Sequence, residues 1–178
     1  MRIAFMHVLA ACIMLTSCSV RPAAEPAAAS PVTFSALQNA LYHSPDWGDF
    51  QLVDGVYRRL PLGPGESPDN YMTQLQERVV YGDLNADGAQ DAAVFLSTQN
   101  GGTGHFVELA AVLNRSGQAE NASTVSLGDR VGIEASRIEA GVIILDMRVH
   151  GPNDPMCCAS QLEVWRFVLE ENQLQRLP

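Results

Sequence analysis

The chain contains no lysine; its eleven cations are all arginine, set against twenty Asp and Glu for a formal net charge of −9. An acidic surface with no basic cluster argues against binding nucleic acid or anionic lipid head groups, and is compatible with cations. Cysteine is nearly as scarce, with four in all: Cys12, Cys18, Cys157 and Cys158. No apolar run reaches the roughly 20 residues that a membrane-spanning helix needs. Catalytic patterns are missing too. The glycine-rich Asn100–Phe106 stretch, "NGGTGHF", has no phosphate-loop lysine and reads as a hairpin loop. Neither His43 nor His105 sits beside a nucleophile or in an H-E-x-x-H pattern, so no enzyme is indicated.

At the amino terminus, Met1 and Arg2 precede an apolar run from Ile3 to Leu15 that stops at small residues, which is the pattern of a secretory signal. The tetrad Leu15-Thr16-Ser17-Cys18 resembles the bacterial lipoprotein cleavage box. That resemblance implies a signal peptide over residues 1–17 and a diacylglyceryl group on Cys18. Several acyl chains, at roughly 0.8 kcal/mol for each buried methylene, make such anchoring effectively permanent. Ser19, where an aspartate is absent, implies sorting to the outer membrane of a Gram-negative cell, facing the periplasm or the surface. Residues 18–31 are rich in Ala and Pro and read as a tether. The globular part, 32–178, is one domain's worth of chain.

Turn signals divide that domain. Asp54-Gly55 lies between Leu52-Val53 and Val56-Tyr57, the strongest local hairpin signal. "RSGQ" after Leu113, "EAG" after Ile138 and "EEN" after Leu169 punctuate further apolar runs. Strands are expected near 51–58, 78–82, 92–97, 106–113, 124–127, 133–138, 142–149 and 162–169. In "TFSALQNALYHS", Phe34, Leu37 and Leu41 recur at helical spacing behind Thr33 or Ser35 as caps. Leu60–Asn70 is too rich in Pro and Gly for either element and reads as an exposed loop. The expected fold is mainly β, of the α+β kind. An antiparallel meander curls into a sandwich or partial barrel, with one short amino-terminal helix.

The stretch "YGDLNADGAQDAAVFL" carries the clearest chemistry. Counted from Asp83, Asn85 is third, Asp87 fifth, Gly88 sixth, Ala89 seventh and Asp91 ninth. Calcium seeks six to eight oxygens, and alternating Asp and Asn deliver several to one point. An EF-hand needs an acid at the twelfth position, where Val94 stands. D-x-N-x-D-G-x-x-D instead resembles the calcium loops of integrin-type propeller repeats. The resemblance implies Asp83, Asn85, Asp87 and Asp91 as side-chain ligands and the Ala89 carbonyl as a fifth. The alternative is an Asx-rich turn that caps its own backbone without an ion.

The second unusual stretch is "HGPNDPMCCASQ", His150–Gln161. In an oxidising envelope, Cys157 and Cys158 have no other intramolecular partner once Cys18 is lipidated. Adjacent Cα atoms lie about 3.8 Å apart, below the usual disulfide range, so a bridge between them is strained. Three arrangements stand open: a vicinal disulfide, two packed thiols, and a soft-metal site using His150, Met156 and both cysteines. Asp129 and Arg130 in "LGDRV" offer a local ion pair, while Trp47 and Trp165 read as core or edge aromatics.

"GDLNADGAQDAAVFL", "GGTGHFVELAAVLN", "LGDRVGIEASRIEAGVIILDM" and "GPNDPMCC" together resemble an uncharacterised family of bacterial envelope lipoproteins, from about Leu37 to Leu174. Ala159 stands where that pattern has proline. The resemblance implies no established activity. The expected function is a non-enzymatic envelope lipoprotein, a calcium-stabilised β domain binding a protein, glycan or small ligand. The alternatives are a structural or assembly accessory without a ligand, and a thiol redox or metal-handling protein using Cys157 and Cys158.

Overall fold

The computed structural model describes residues 30–59 and 71–178. The signal segment, Cys18, most of the tether and the Leu60–Asn70 loop lie outside the described residues. The first element is a short helix, α1 (Phe34–Gln38), whose amino end is capped by Thr33: its Oγ1 accepts the Ala36 amide at 3.1 Å. At the other end the Asn39 amide turns back to the carbonyls of Ala36 and Leu37.

The helix is shorter than its apolar spacing suggests. Leu41 opens strand β1 (Leu41–Ser44) instead, and its side chain is 44% exposed. In that strand Tyr42 and Ser44 turn inward while Leu41 and His43 turn out, the period of two that a strand imposes. β1 pairs with β2 (Gly48–Gln51) as a hairpin.

The Asp54-Gly55 turn is present, with both residues left-handed (φ 51° and 82°) and Val53 and Val56 exchanging two backbone hydrogen bonds across it. This is the type I′ geometry. Its legs, however, do not run on as the single hairpin expected over 51–58. Gln51 belongs to β2, whereas β3 (Val56–Arg58) pairs with β4 (Met72–Gly82) in another sheet.

The five-stranded sheet continues from β4 through β5 (Asp91–Gln99) and β6 (Phe106–Arg115) to β7 (Gln118–Asp129). The four-stranded sheet then follows as β8 (Gly132–Glu139), β9 (Val142–Val149), β10 (Gln161–Glu170) and β11 (Gln173–Leu177). Every pairing is antiparallel and between chain neighbours. The result is a curled meander folded back on itself, the mainly β architecture expected. β11 and the β1–β2 hairpin were not anticipated, and β4 and β7 are longer than foreseen. Ser116-Gly117, Ala140-Gly141 and Glu171-Asn172 are left-handed pairs joining β6–β7, β8–β9 and β10–β11.

Two cores sandwich the central sheet. Between the sheets, Ala93, Phe95, Leu109 and Ala111 pack against Ile143, Leu145, Met147 and Phe167. On the opposite face, Val94, Leu96, Ala110 and Val112 lie beneath Leu37, Tyr42, Phe50 and Leu52 from the helix and hairpin. β5 and β6 are therefore covered on both sides, which explains their near-continuous apolar runs. At the seam between the sheets Gly82 is required: a Cβ there would sit 2.6 Å from Ile138 Cγ2.

Candidate functional site

The Asp83–Gln90 segment links β4 to β5. It turns through two left-handed residues, Ala86 and Gly88 (φ 59° and 83°). Nothing lies within 4 Å of a Cβ built on Gly88, so glycine is needed there for conformation and not for space. The loop's oxygens are turned on its own amides. Asp83 Oδ2 accepts from Gly88 N at 2.9 Å, Asn85 Oδ1 from Asp87 N at 3.1 Å, and Asp87 Oδ1 from Ala89 N at 2.8 Å. Asn85 Nδ2 also donates to Asp87 Oδ2 at 2.8 Å.

Asp91 differs from the others because it is fully buried. Its two oxygens accept the amides of Leu84 and Asn114 at 2.9 and 2.8 Å, tying the loop base to the end of β6. Burial pushes its carboxyl above the ordinary aspartate range; the two amides oppose that shift, and Asp87 and Asp83 reinforce it.

These residues fit a hard cation in part. Asp83 Oδ1 is buried with no hydrogen-bond partner, an acceptor left over where a cation would use it. A carboxylate has about four lone-pair sites, so two amide bonds leave Asp91 able to accept more. As arranged here, no group of three or more His, Cys, Asp or Glu among the described residues converges on one point. A groove of about 480 Å³ adjoins the loop, walled by Leu84, Asn85, Gly141 and Leu169.

Three other segments meet at the far end of β5, whose nine residues at about 3.3 Å each place it roughly 30 Å away. Arg130, in the left-handed region (φ 49°), joins them. Its Nε and Nη2 donate to the Thr103 carbonyl at 3.1 and 2.6 Å, and Nη2 also reaches Thr103 Oγ1 at 2.9 Å. Its Nη1 donates to Asp129 Oδ2 at 2.8 Å and to the Met156 carbonyl at 3.0 Å. The Asp129–Arg130 pair expected from the sequence is thus present, but it also cross-links the glycine-rich loop and the cysteine loop. His105 completes the junction. Its amide donates to Asp129 Oδ1 at 2.7 Å, its carbonyl accepts from Arg130 N at 2.7 Å, and its Nε2 lies 2.6 Å from Ser97 Oγ.

The cysteine loop is braced from within by Asp154, which sequence reasoning missed although Asn-Asp-Pro is turn chemistry. Its Oδ2 accepts from Gly151 N and Ser160 N at 2.8 and 2.7 Å, and its Oδ1 from Ser160 Oγ at 2.7 Å. The Ser160 hydroxyl, followed by the two amides and then by His150, holds this carboxyl below the usual range. At the tip, Cys157 and Cys158 are joined Sγ to Sγ, both exposed, beside Met156 at 75% exposure.

The remaining candidates fall apart from these loops. His43 pairs with Asp49 at 2.8 Å on the surface. Trp47 packs against Phe106 and Tyr71, with ring centroids 5.3 and 5.6 Å away. Trp165 lies against the inter-sheet core under the Arg176 guanidinium, 3.7 Å from its ring centre. No protein-family model, curated protein or solved structure matches the chain.

Proposed function

We propose that the protein is a non-enzymatic envelope lipoprotein whose β domain, stabilised by calcium, presents the Cys157–Cys158 loop as part of a binding surface for an envelope protein, glycan or small ligand. The observation that carries this reading is the Arg130 junction. Three loops from distant parts of the chain are locked together, and what they hold outward is apolar and sulfur-rich: Met156 and the joined cysteines. Rigid, exposed apolar groups suit recognition because little conformational entropy is lost on binding. Calcium would be held by Asp83, Asn85, Asp87, the Ala89 carbonyl and Asp91. It would stabilise the loop at the opposite end rather than act at the binding surface. Cys18 would carry the anchor.

The binding role is tested by capture from solubilised envelope fractions and on isolated cell-wall glycan, with wild type, Met156→Asp and Asp83→Ala. Capture lost only in Met156→Asp supports it. Capture by none returns the domain to an assembly accessory without a ligand, and equal capture by all three removes the Met156 loop from the binding surface. The exposure of both cysteines favours one second reading, thiol–disulfide exchange, in which a partner thiolate attacks one sulfur of the Cys157–Cys158 bond, the other leaves as a thiolate, and that thiolate or a second partner thiol resolves the mixed disulfide. Single Cys157→Ser and Cys158→Ser variants would then accumulate as mixed disulfides in cells.

A further inference from the structure

Apart from both loops, the β1–β2 hairpin is fastened to the central sheet by an acid with no counter-charge. Glu108 projects from β6 on the hairpin side, fully buried among Leu96, Ala110 and the hairpin residues. Its Oε1 accepts from Ser44 Oγ at 2.5 Å, and the same hydroxyl receives the amides of Asp46 and Trp47 at 3.2 and 3.0 Å. One contact therefore holds both the sheet and the hairpin turn. The second oxygen, Oε2, is buried without a partner, as are the Tyr71 hydroxyl and Trp47 Nε1, whose rings lie 5.6 Å apart.

The groups facing this acid offer it little charge. From the hairpin comes Asp46, a like charge; from the residue just before β4 comes the Tyr71 hydroxyl. Opposite it in register stand Leu96 of β5 and Ser126 of β7, neither of which titrates. Arg59 lies over the Tyr71 ring at 5.3 Å and forms no ion pair with Glu108 among the described residues. His43, on the same hairpin, points outward to Asp49. A carboxylate in this position would be a buried, uncompensated ion, whereas a carboxylic acid is tolerated there.

We propose that Glu108 is a proton-controlled latch: as the acid it keeps the β1–β2 hairpin seated on the sheet through Ser44, and on ionising it lets the hairpin turn lift and admit water to Trp47. Desolvation, reinforced by Asp46 and opposed by the Ser44 hydrogen bond, raises the carboxyl from 4.5 to about 7. A carboxyl raised in the folded state gives stability that is whole below its unfolded value and is lost as pH rises through the folded one. Seating therefore weakens between those two values, and the lifted state prevails on the alkaline side.

The test uses the whole domain with Trp165→Phe, so that Trp47 alone emits. Acrylamide quenching is followed from about pH 5 to about pH 9, with glutamate carboxyl-carbon NMR on the same samples. Quenching should rise severalfold with a midpoint between 4.5 and about 7, coincident with the titration of one glutamate carbon. Glu108→Gln, which keeps an acceptor for Ser44 but cannot ionise, should stay at the low-quenching level throughout. A rise persisting in Glu108→Gln, or flat wild-type quenching while the glutamate titrates, overturns the latch. Should Glu108→Gln fail to fold, Ser44→Ala decides in its place. Because the latch holds through that hydroxyl, its loss must let the hairpin lift at lower pH and move the quenching midpoint down, and an unmoved or raised midpoint also overturns it.

Discussion

At the scale of single residues, two charged side chains act mainly by holding backbone. Arg130 donates to carbonyls in two loops other than its own, and a flat guanidinium is what allows one side chain to do so. Arg130→Ala should cost about 2 kcal/mol, and Arg130→Lys should recover little of it, as read from urea unfolding. Asp154 has the signature of a carboxylate stabilised in its ionised form. That contribution is present above the ordinary aspartate value of 3.8 and disappears as pH falls through the lowered native value. Hydrogen exchange at the Gly151 and Ser160 amides, compared with Asp154→Asn, should therefore show protection at neutral pH that the variant lacks, with the two converging in acid. Tyr42 donates its hydroxyl to the Leu37 carbonyl at 2.9 Å, a bond whose removal in Tyr42→Phe should cost about 1 kcal/mol. Roles of this kind were not legible beforehand. The sequence showed that Arg130 had an acidic neighbour, but Thr103 and Met156 are its partners only through the fold. Glu108 offered a faint signal as an acid inside an apolar strand, yet Ser44, 64 positions away, could not be inferred.

At the scale of elements, legibility followed the backbone. Turns that need left-handed residues left a mark in the sequence, and Asp54-Gly55, Ser116-Gly117 and Ala140-Gly141 were all readable for that reason. The strand at Leu41 was not, because Leu37 and Leu41 happen to fall at helical spacing while the alternation of Tyr42 and Ser44 spans only four residues. The Asp83–Gln90 loop was legible as a motif, whereas the use of Asp91 as a buried brace was not. If the loop takes calcium, millimolar calcium should raise the melting temperature by several degrees, and Asp83→Ala or Asp87→Ala should abolish the rise. Identical melting with calcium and with chelator would leave an Asx turn that needs no ion. The cysteine pair has an equally direct check. Intact mass of the domain should fall short of the dithiol by two hydrogens, with free thiol appearing only after reduction.

For the whole molecule, anchoring is the property furthest from the described residues. Replacing Cys18 with Ser should move the protein from the membrane fraction into the soluble periplasmic one, and retention in membranes would remove the lipid anchor from the reading. The two-sheet plan was foreseeable from evenly spaced strands and turns, but the second core on the outer face of the central sheet was not, since the hairpin that covers it was hidden. The same plan decides how the domain behaves toward its own kind. The margin strands of the smaller sheet are not left facing solvent alone: β8 runs against β4, and β11 against β7, where Leu174 N donates to Ser123 Oγ at 3.0 Å. On the other side β3 is only three residues long and carries Arg58. At these margins, among the described residues, a foreign strand therefore finds few free amides and carbonyls to zip onto. Edge-to-edge addition of a second copy at these margins, the step by which β-rich chains stack into fibrils, is thereby disfavoured.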